Sequence, residues 1–342
     1  MITGDIGQAL GLDASGTWRP PPGGAGAAPG TYATSLPFRM ALSAGEQPQQ
    51  VAAALAARLD SRDWVTSASV AGGGYLTVTV SPETLATLAV RVPEAGDACA
   101  ASDALRGQRF RAPSAVDVTT AADWPRAWDL VTSAVTAQLA AAAGAQIIKA
   151  TIASERLPLA DHPAAASRLA PADAVAAAGA DAVRFALTRA PAHRAGQVSP
   201  VSYVRNSLEN PFFAVRYAHA RAALVLRWAG DLGLKRGNPE TLRPELILHP
   251  AELGLLDAIS WLPERVASAA RRRRPDSFVR YLEWLAAKWL DCSENCPALP
   301  FGGRSAPADL AGMAARLWLA VAAQTALGTC LRLAGVAAPQ RL

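Results

Sequence analysis

Residues 206–221 combine cations, an imidazole and an aromatic ring at spacings that suit nucleic-acid binding. Beyond Pro211 the chain favours a helix, because proline is tolerated in a first turn. Arg216, His219 and Arg227 then share a face, since eleven residues make about three turns, and Tyr217 lies beside them. Cations could neutralise phosphates while the ring stacks on a base. An ordinary amphipathic helix with a solvated face fits the same spacing.

Positive charge is concentrated in the C-terminal half of this 342-residue chain. Residues 1–178 contain 12 Lys or Arg and 15 Asp or Glu, whereas residues 179–342 contain 21 and 13. A basic half favours a polyanionic partner. Because 30 of the 33 cations are arginines in a chain rich in Ala, Gly and Pro, composition bias explains part of this excess.

Composition also limits the class of protein. The chain has no run of 18 or more uninterrupted apolar residues, so we expect no membrane span, and its first residues do not form a signal peptide. Four scattered cysteines indicate a reducing compartment, and we expect the cytoplasm. Cys292 and Cys296 would share a helix face, but no second pair follows at zinc-ligand spacing. We therefore expect no metal and no cofactor.

The N-terminal residues predict a small α+β domain after a flexible lead-in. Residues 1–30 pass into a Pro/Gly-rich stretch and are expected to be this lead-in. Pro48 begins a predicted helix, and residues 65–70 and 75–80 predict two strands around three glycines. With a further helix that begins at Ser81, the domain covers residues 31–92.

The middle of the chain carries the fewest sequence patterns that predict a structure. Residues 93–178 contain an expected linker at 93–104, a helix that begins at Trp124, and a possible buried strand at 146–152. Trp124 and Trp128 are expected to pack this segment against its neighbours. No glycine-rich phosphate loop or nucleophile elbow occurs anywhere in the chain.

The C-terminal half predicts an all-α bundle over residues 179–342. Helices are expected at 180–189, from Pro211, from His249 to the arginines at 271–274, from Asp276, and from Pro307 to about Gly335, with a loop at 292–307. The apolar stripes of these helices predict core packing rather than a cofactor site. The whole chain is therefore α+β, with a small N-terminal domain and a helical C-terminal end.

Several segments, in order, resemble the arginyl-tRNA synthetase family. Residues 210–221 are similar to the sequence, roughly NPxYYVQYAHAR, that opens the anticodon-binding bundle of that family. Four further segments are similar to its GADAxRF, HPEExxLL, RYLxxLA and LGVxAPxRM motifs: 179–185, 249–256, 280–286 and 334–339. Residues 31–92 resemble the N-terminal additional domain of the family over shorter matches. This resemblance implies a bundle that binds the anticodon loop of tRNA.

The resemblance also implies a missing catalytic domain. Active members carry a HIGH-type tetrapeptide and a KMSKS-like loop, whose His and Lys side chains stabilise the phosphates of ATP. In this sequence the four histidines, His162, His193, His219 and His249, are far apart, and residues 153–158 lack a Lys-Met-Ser element. About 86 residues, 93–178, stand where the catalytic domain is expected. We therefore expect no aminoacylation.

The predicted RNA-binding residues follow from the charge pattern and from the resemblance. In the resemblance, Tyr217 matches an anticodon-contacting tyrosine, whereas Ala214 and Arg216 stand where Tyr and Gln are usual, so one stacking ring is lost and one cation is gained. The full predicted set is Arg205, Arg216, Tyr217, Arg227, Arg271, Arg272, Tyr75, Thr77 and Leu342. Arg271 to Arg274 could equally be a charged helix end, and Tyr75 and Thr77 could be ordinary strand residues. His219 is expected to be structural, and Arg221 to pair with Glu209 or Asp181.

Three functions are compatible with the sequence. The first is a non-catalytic relative of the synthetases that binds tRNA or a tRNA-like RNA. The second is an arginine–tRNA ligase, acting alone or with a separate catalytic chain. The third is a protein-interaction module that has lost RNA binding.

Overall fold

The computed structural model describes residues 1–12, 17–20, 28–150, 169–197, 199–300 and 307–342. The chain divides into two compact units, each assembled from three segments. Unit 1 contains Met1–Cys99, Val225–Glu264 and Asp291–Ala323. Unit 2 contains Ala100–Leu224, Arg265–Leu290 and Gln324–Leu342.

Helices dominate the described residues, and strands occur in two sheets. The helices are α1 (Ile2–Leu10), α2 (Leu36–Ala44), α3 (Pro48–Asp60), α4 (Pro82–Ala86), α5 (Leu88–Ala95), α6 (Trp124–Ala142), α7 (Pro171–Ala178), α8 (Ala180–Arg189), α9 (Pro211–Asp231), α10 (Pro250–Ser260), α11 (Leu262–Arg271), α12 (Pro275–Asn295) and α13 (Pro307–Leu333). The strands are β1 (Trp18–Arg19), β2 (Thr31–Thr34), β3 (Val65–Ala71), β4 (Tyr75–Val80), β5 (Arg109–Pro113) and β6 (Gln146–Ala150). The predicted α+β class, with a small N-terminal α+β part and a helical C-terminal part, is confirmed.

The sheet of unit 1 is antiparallel, with strand order β1-β2-β4-β3. Leu76, Val78 and Val80 on β4 are buried and alternate with half-buried residues, as predicted for a strand with one covered face. Gly74 closes the β3–β4 hairpin at a φ of 127°, and a Cβ there would lie 2.7 Å from the Cβ of Pro48. Both its backbone conformation and its packing therefore require glycine at this position.

The N-terminal residues are ordered where a flexible lead-in was expected. Ile2, Ile6 and Leu10 are buried on one face of α1, because they recur at i+4. Asp5 on the other side of this helix forms an ion pair with Arg91 at 2.6 Å. Strand β1 also falls within residues 1–30, whereas residues 13–16 and 21–27 lie outside the described part of the chain.

Helical structure also occupies residues 93–100 of the linker expected at 93–104. The helix predicted to begin at Ser81 is α4, and the Ser81 side chain caps it by accepting a hydrogen bond from the backbone N–H of Thr84. Helix α5 then runs to Ala95 and a 3-10 turn continues to Ala100. Cys99 within this turn is buried, so apolar packing orders the segment.

Side chains near β2 and α10 are joined within unit 1. The N–H of Gly30 donates to Oδ1 of Asp257 at 2.9 Å, and the hydroxyl of Tyr32 donates to Oγ of Ser260 at 2.7 Å. The Tyr32 ring also contacts Trp261, with ring centroids 4.9 Å apart. Burial raises the pKa of Tyr32, which keeps its phenol neutral and able to donate. The sheet and the α10 region therefore share one buried polar contact.

The middle segment forms a two-stranded parallel sheet next to α6. Helix α6 begins at Trp124 as predicted, and the Asp123 side chain caps it by accepting from the N–H of Arg126. The indole of Trp124 donates to Leu169 O, and that of Trp128 donates to Ala190 O, both at 2.9 Å. The strand predicted at 146–152 is present as β6, but it is largely exposed and the prediction that it is buried is wrong. Residues 151 and 152 lie outside the described part of the chain.

The C-terminal helices have the predicted apolar faces but different ends. The helix expected from His249 to the arginines is divided into α10 and α11, because Pro263 lacks an N–H and its ring would clash with the preceding turn. On α12 the side chains of Phe278, Leu282, Leu285 and Trp289 are all buried, as predicted. Helix α12 extends to Asn295, so Cys292 is helical rather than the start of a loop.

Helix α13 contains a segment, Leu310–Leu333, whose length and composition would be enough to cross a membrane. Half of its 18-residue apolar window is buried inside the protein. Arg316 on the same helix forms an ion pair with Glu252 at 2.8 Å. These contacts are those of a core helix.

Candidate nucleic-acid interface

The start of α9 is fixed by Asn210, which is buried. Its amide nitrogen donates to the carbonyl oxygens of Tyr203 and Arg205, at 2.7 and 2.6 Å. Its amide oxygen accepts from the N–H of Phe212 at 3.1 Å, in the manner of a helix N-cap. This network sets the direction in which α9 leaves the preceding turn, and it leaves the side chain of Arg205 exposed.

Two aromatic rings and an arginine follow one another along α9 at i+4 spacing. The rings of Phe213 and Tyr217 are stacked, with centroids 5.7 Å apart and an interplanar angle of 17°. Nη1 of Arg221 donates to the hydroxyl of Tyr217 at 3.5 Å. All three side chains are half-buried, so each presents part of its surface to solvent. We call them the aromatic–arginine face.

Phe213 and Arg221 were missing from the predicted site. The charge pattern of the sequence places Arg216, His219 and Arg227 on one face of α9, and this pattern does not include Phe213 or Arg221. The signal that identifies Phe213 and Arg221 is their i+4 spacing on either side of Tyr217. Arg221, which is expected to pair with Glu209 or Asp181, contacts Tyr217, and Asp181 lies 3.5 Å from Arg184 and accepts from the N–H of Ala337.

Arg216 is half-buried against another ring. Its guanidinium carbon lies 5.0 Å from the centroid of Phe212, at cation–π distance. Its Nε is buried and has no hydrogen-bond partner among the residues that the structure describes. Arg216 therefore combines a packing role with a charge beside Tyr217.

His219 is a buried structural residue and not part of a solvated stripe. It is 3% exposed, and its Nδ1 lies 2.8 Å from the carbonyl oxygen of Pro339. Because a carbonyl only accepts, Nδ1 carries the hydrogen. Burial lowers the pKa of His219, and the hydrogen bond to Pro339 partly opposes this effect. The expected structural role is confirmed, and the predicted stripe loses one cation.

Hydrogen bonds hold the residues that follow α13 against the rest of unit 2, to which these residues belong. In addition to the Pro339 contact, the N–H of Ala337 donates to Oδ2 of Asp181 at 3.0 Å, and Gln324 donates to Gln340 at 3.0 Å. Leu342 is exposed and lies three residues after Pro339. Three residues of chain span at most about 10 Å, so Leu342 lies within that distance of Pro339, which contacts His219 on α9.

The four consecutive arginines that begin at the last residue of α11 have different environments. Arg274 forms a bidentate pair with the buried Asp276: its Nε donates to Oδ1 and its Nη2 to Oδ2, each at 2.8 Å. Nη2 of Arg271 donates to the carbonyl oxygen of Ala104 at 3.3 Å. The guanidinium of Arg273 lies 5.9 Å from the centroid of Phe110. Arg272 is exposed.

The remaining predicted residues lie in unit 1. Tyr75 is half-buried and packs edge-on against Phe38, with centroids 5.0 Å apart. The hydroxyl of Thr77 is buried and has no hydrogen-bond partner in the described ranges. Arg227 is half-buried near the end of α9. Within unit 2 the structure places Arg216 and Tyr217 next to each other on α9, Arg271 at the last position of α11, and Arg272 on the turn that follows.

Two family models match separate parts of the chain. Residues 26–80 match the arginyl tRNA synthetase N terminal domain, and residues 215–342 match the DALR anticodon binding domain.

Across the described residues, no group of three or more His, Cys, Asp or Glu side chains could hold a metal ion.

Curated relatives match half of this chain. It is 36% identical over 170 residues to a protein of Clavibacter sepedonicus and 38% identical over 170 residues to one of Frankia alni, each named arginine–tRNA ligase. Both alignments cover 50% of this chain, and the chain spans only 30% of the length of either relative.

A solved structure, the arginyl-tRNA synthetase of Thermus thermophilus, is similar to this chain with a TM-score of 0.62. The comparison covers 100% of this chain and 99% of that one at 14% sequence identity, which is a likeness of fold alone. The similarity in sequence to arginyl-tRNA synthetases is shown by the two family models and the curated relatives. The chain therefore carries an arginyl-tRNA synthetase N-terminal domain and a DALR anticodon-binding domain.

Proposed function

We propose that this protein binds tRNA, or an RNA with a tRNA-like loop, through its C-terminal helical domain. The observation that carries the proposal is the stacked pair of Phe213 and Tyr217 with Arg221 beside it, on the helix where the DALR match begins. Splayed bases of single-stranded RNA loops stack on such rings, and arginine pairs with phosphate.

The charge of α9 supports the same proposal. The helix contains three arginines, and its acidic residue, Asp231, is the last one. A phosphate backbone that ran along α9 would therefore meet arginines of this helix and no carboxylate of the helix before its last residue. Each base stacked on a protein ring contributes about 1–3 kcal/mol to binding. Leu342, exposed close to Pro339, would add an apolar contact from the chain end.

The proposed site is tested by binding unfractionated tRNA to the full chain at several salt concentrations. We expect log K to fall linearly with log salt, because bound phosphates release counterions. Tyr217→Ala should weaken binding about tenfold or more, whereas Tyr217→Phe, which retains the ring, should stay within about threefold of the parent. Equal affinity for the parent and Tyr217→Ala would contradict the site, and no binding of tRNA by the parent would favour the protein-interaction alternative.

Arginine–tRNA ligase activity is the second candidate, because the curated relatives carry that name. Against it, no two of the four histidines form an HxGH element, and the chain spans 30% of the length of those relatives. We propose that this chain does not activate arginine by itself. Arginine-dependent exchange of pyrophosphate into ATP measures that step directly, and any turnover by the purified chain would overturn this part of the proposal.

A separate catalytic chain would restore activity only as a complex. Adding this chain to an active arginyl-tRNA synthetase and measuring aminoacylation therefore distinguishes a subunit from an independent RNA binder. We propose independent binding in the cytoplasm, where tRNA is used in translation. A stable complex with increased aminoacylation would instead favour the subunit.

A further inference from the structure

The middle segment contributes exposed arginines that neither family model covers. Residues 103–111 lie between the two matched ranges and contain Arg106, Arg109 and Arg111. All three are exposed. Arg109 and Arg111 are two residues apart on β5, so their side chains leave the same face of the strand about 6.6 Å apart.

Strand β6 positions these arginines through its pairing with β5. The register places Arg109 beside Gln146 and Arg111 beside Ile148. Nε of Arg109 donates to Oε1 of Gln146 at 3.2 Å, which holds the first guanidinium over the sheet. Paired residues of parallel strands project to the same side, so this face presents two arginines, an amide and the exposed side chain of Ile148 to solvent.

The turn between α11 and α12 lies against this segment within unit 2. Arg271 donates to the carbonyl oxygen of Ala104 at 3.3 Å, and the guanidinium of Arg273 lies over the ring of Phe110 at 5.9 Å. Phe110 is 7% exposed and separates Arg109 from Arg111 along the strand. Two stretches more than 150 residues apart in sequence are thus neighbours. Side chains alternate along a strand, so Arg109 and Arg111 leave β5 on the face opposite Phe110 and Arg273, and the exposed arginines of the two stretches flank this edge strand on both sides. We call six of them, all except Arg274 in its pair with Asp276, the arginine surface: Arg106, Arg109, Arg111, Arg271, Arg272 and Arg273.

This surface has a large excess of positive charge. Residues 103–111 and 271–276 together contain seven arginines and two aspartates, a net charge of +5, which equals the formal charge of the whole chain. The two aspartates pair with Arg106 and Arg274. The cations are all arginines, whose planar guanidinium matches a phosphate with two parallel hydrogen bonds.

We propose that the arginine surface binds the sugar–phosphate backbone of a base-paired RNA stem without reading its sequence. The aromatic–arginine face of α9 offers rings for unpaired bases, whereas the Phe110 ring here is buried and the exposed groups are guanidinium ions. Such groups suit phosphates of a duplex, which is recognised through shape and backbone. The proposal rests on the proposed function in one respect: the stem would belong to the same RNA that α9 binds by its loop.

The test uses the full chain and a blunt 20-base-pair RNA duplex of scrambled sequence that has no loop. Fluorescence anisotropy would be measured over a range of salt concentrations. Arg109→Glu with Arg111→Glu should weaken duplex binding at least tenfold and lower the salt slope by about two, one for each lost phosphate contact. The milder pair Arg109→Gln with Arg111→Gln should give a smaller loss in the same direction, which keeps the test valid if charge reversal prevents folding.

The matched control reverses two exposed arginines of unit 1, Arg39→Glu with Arg62→Glu, and should leave at least half of the duplex affinity. Tyr217→Ala should leave duplex binding unchanged, so that failure of the loop site and failure of the arginine surface give different results. Equal losses in the control and in the Arg109/Arg111 variant would overturn the proposal. Binding to vesicles that contain phosphatidylserine but not to the duplex would also overturn it, in favour of a membrane surface.

Discussion

Nδ1 of His219, in the middle of α9, lies 2.8 Å from the carbonyl oxygen of Pro339, which is 120 residues further along the chain. This contact ties the segment after α13 to the helix that carries Tyr217. Gly328 on α13 permits it, because a Cβ at that position would lie 3.2 Å from Nε2 of the imidazole. A neutral, buried imidazole is thus part of the structure that supports the proposed RNA site.

Stability should fall as pH is lowered from 7 towards 5, in part through His219. Burial lowers the pKa of His219 below its ordinary value of 6.5 in the folded state, so the unfolded chain binds the proton first. The unfolded state then binds more protons, and the free energy of unfolding decreases as pH falls. Urea unfolding at several pH values should show a flatter profile for His219→Gln, while His193→Gln, at an exposed position, should follow the parent. Identical profiles for all three proteins would contradict this assignment.

Tyr32→Phe should destabilise unit 1 by about 1–2 kcal/mol, because the oxygen of Ser260 loses its buried donor. The ring contact with Trp261 is retained in this variant, so the loss reports the hydroxyl alone. Urea unfolding measures the difference. Tyr75→Phe in the neighbouring strand, where the ring is half-buried, is the control and should change stability by less than about 0.5 kcal/mol.

Glu252→Gln should be more costly than the same change at Glu245. Glu252 is 1% exposed, and its two oxygens accept from Nε of Arg316 at 2.8 Å and from the N–H of His249 at 3.0 Å. Removing its charge leaves Arg316 partly buried and unpaired, which we expect to cost about 2–4 kcal/mol. The exposed Glu245–Arg243 pair has a similar distance, 2.9 Å, and Glu245→Gln should change stability by less than about 1 kcal/mol. Equal losses in thermal or urea unfolding would show that burial does not decide the strength of these pairs.

Arg216→Ala and Arg227→Ala should each weaken tRNA binding and lower the salt slope by about one, if each pairs with a phosphate. Because Arg216 also packs on Phe212, circular dichroism must show that its variant folds before the affinities are compared. Arg62→Ala, at an exposed position in unit 1, is the control for loss of one charge. Unchanged affinity in both variants would remove these two arginines from the site.

Much of the helical structure could be predicted because its signals are local. Pro211, the His249–Glu252 capping box and the apolar stripe of α12 each act within a few residues of the helix that they define. The strands β3 and β4 were predicted for the same reason, since alternation and three glycines mark a hairpin without reference to the rest of the chain. Burial of β6 could not be predicted, because an apolar run does not show whether another layer covers it.

The sequence by itself determined the α+β class, the family to which the two matched domains belong, and the position of Tyr217 on a helix. Only the tertiary structure decided what surrounds that helix. It placed Phe213 and Arg221 beside Tyr217, buried His219 against Pro339, and brought Arg271 against Ala104, in the segment that carries Arg109 and Arg111. The physical reason is range: propensity and capping act over a few residues, whereas burial, stacking and charge clustering depend on segments that meet only when the chain is folded.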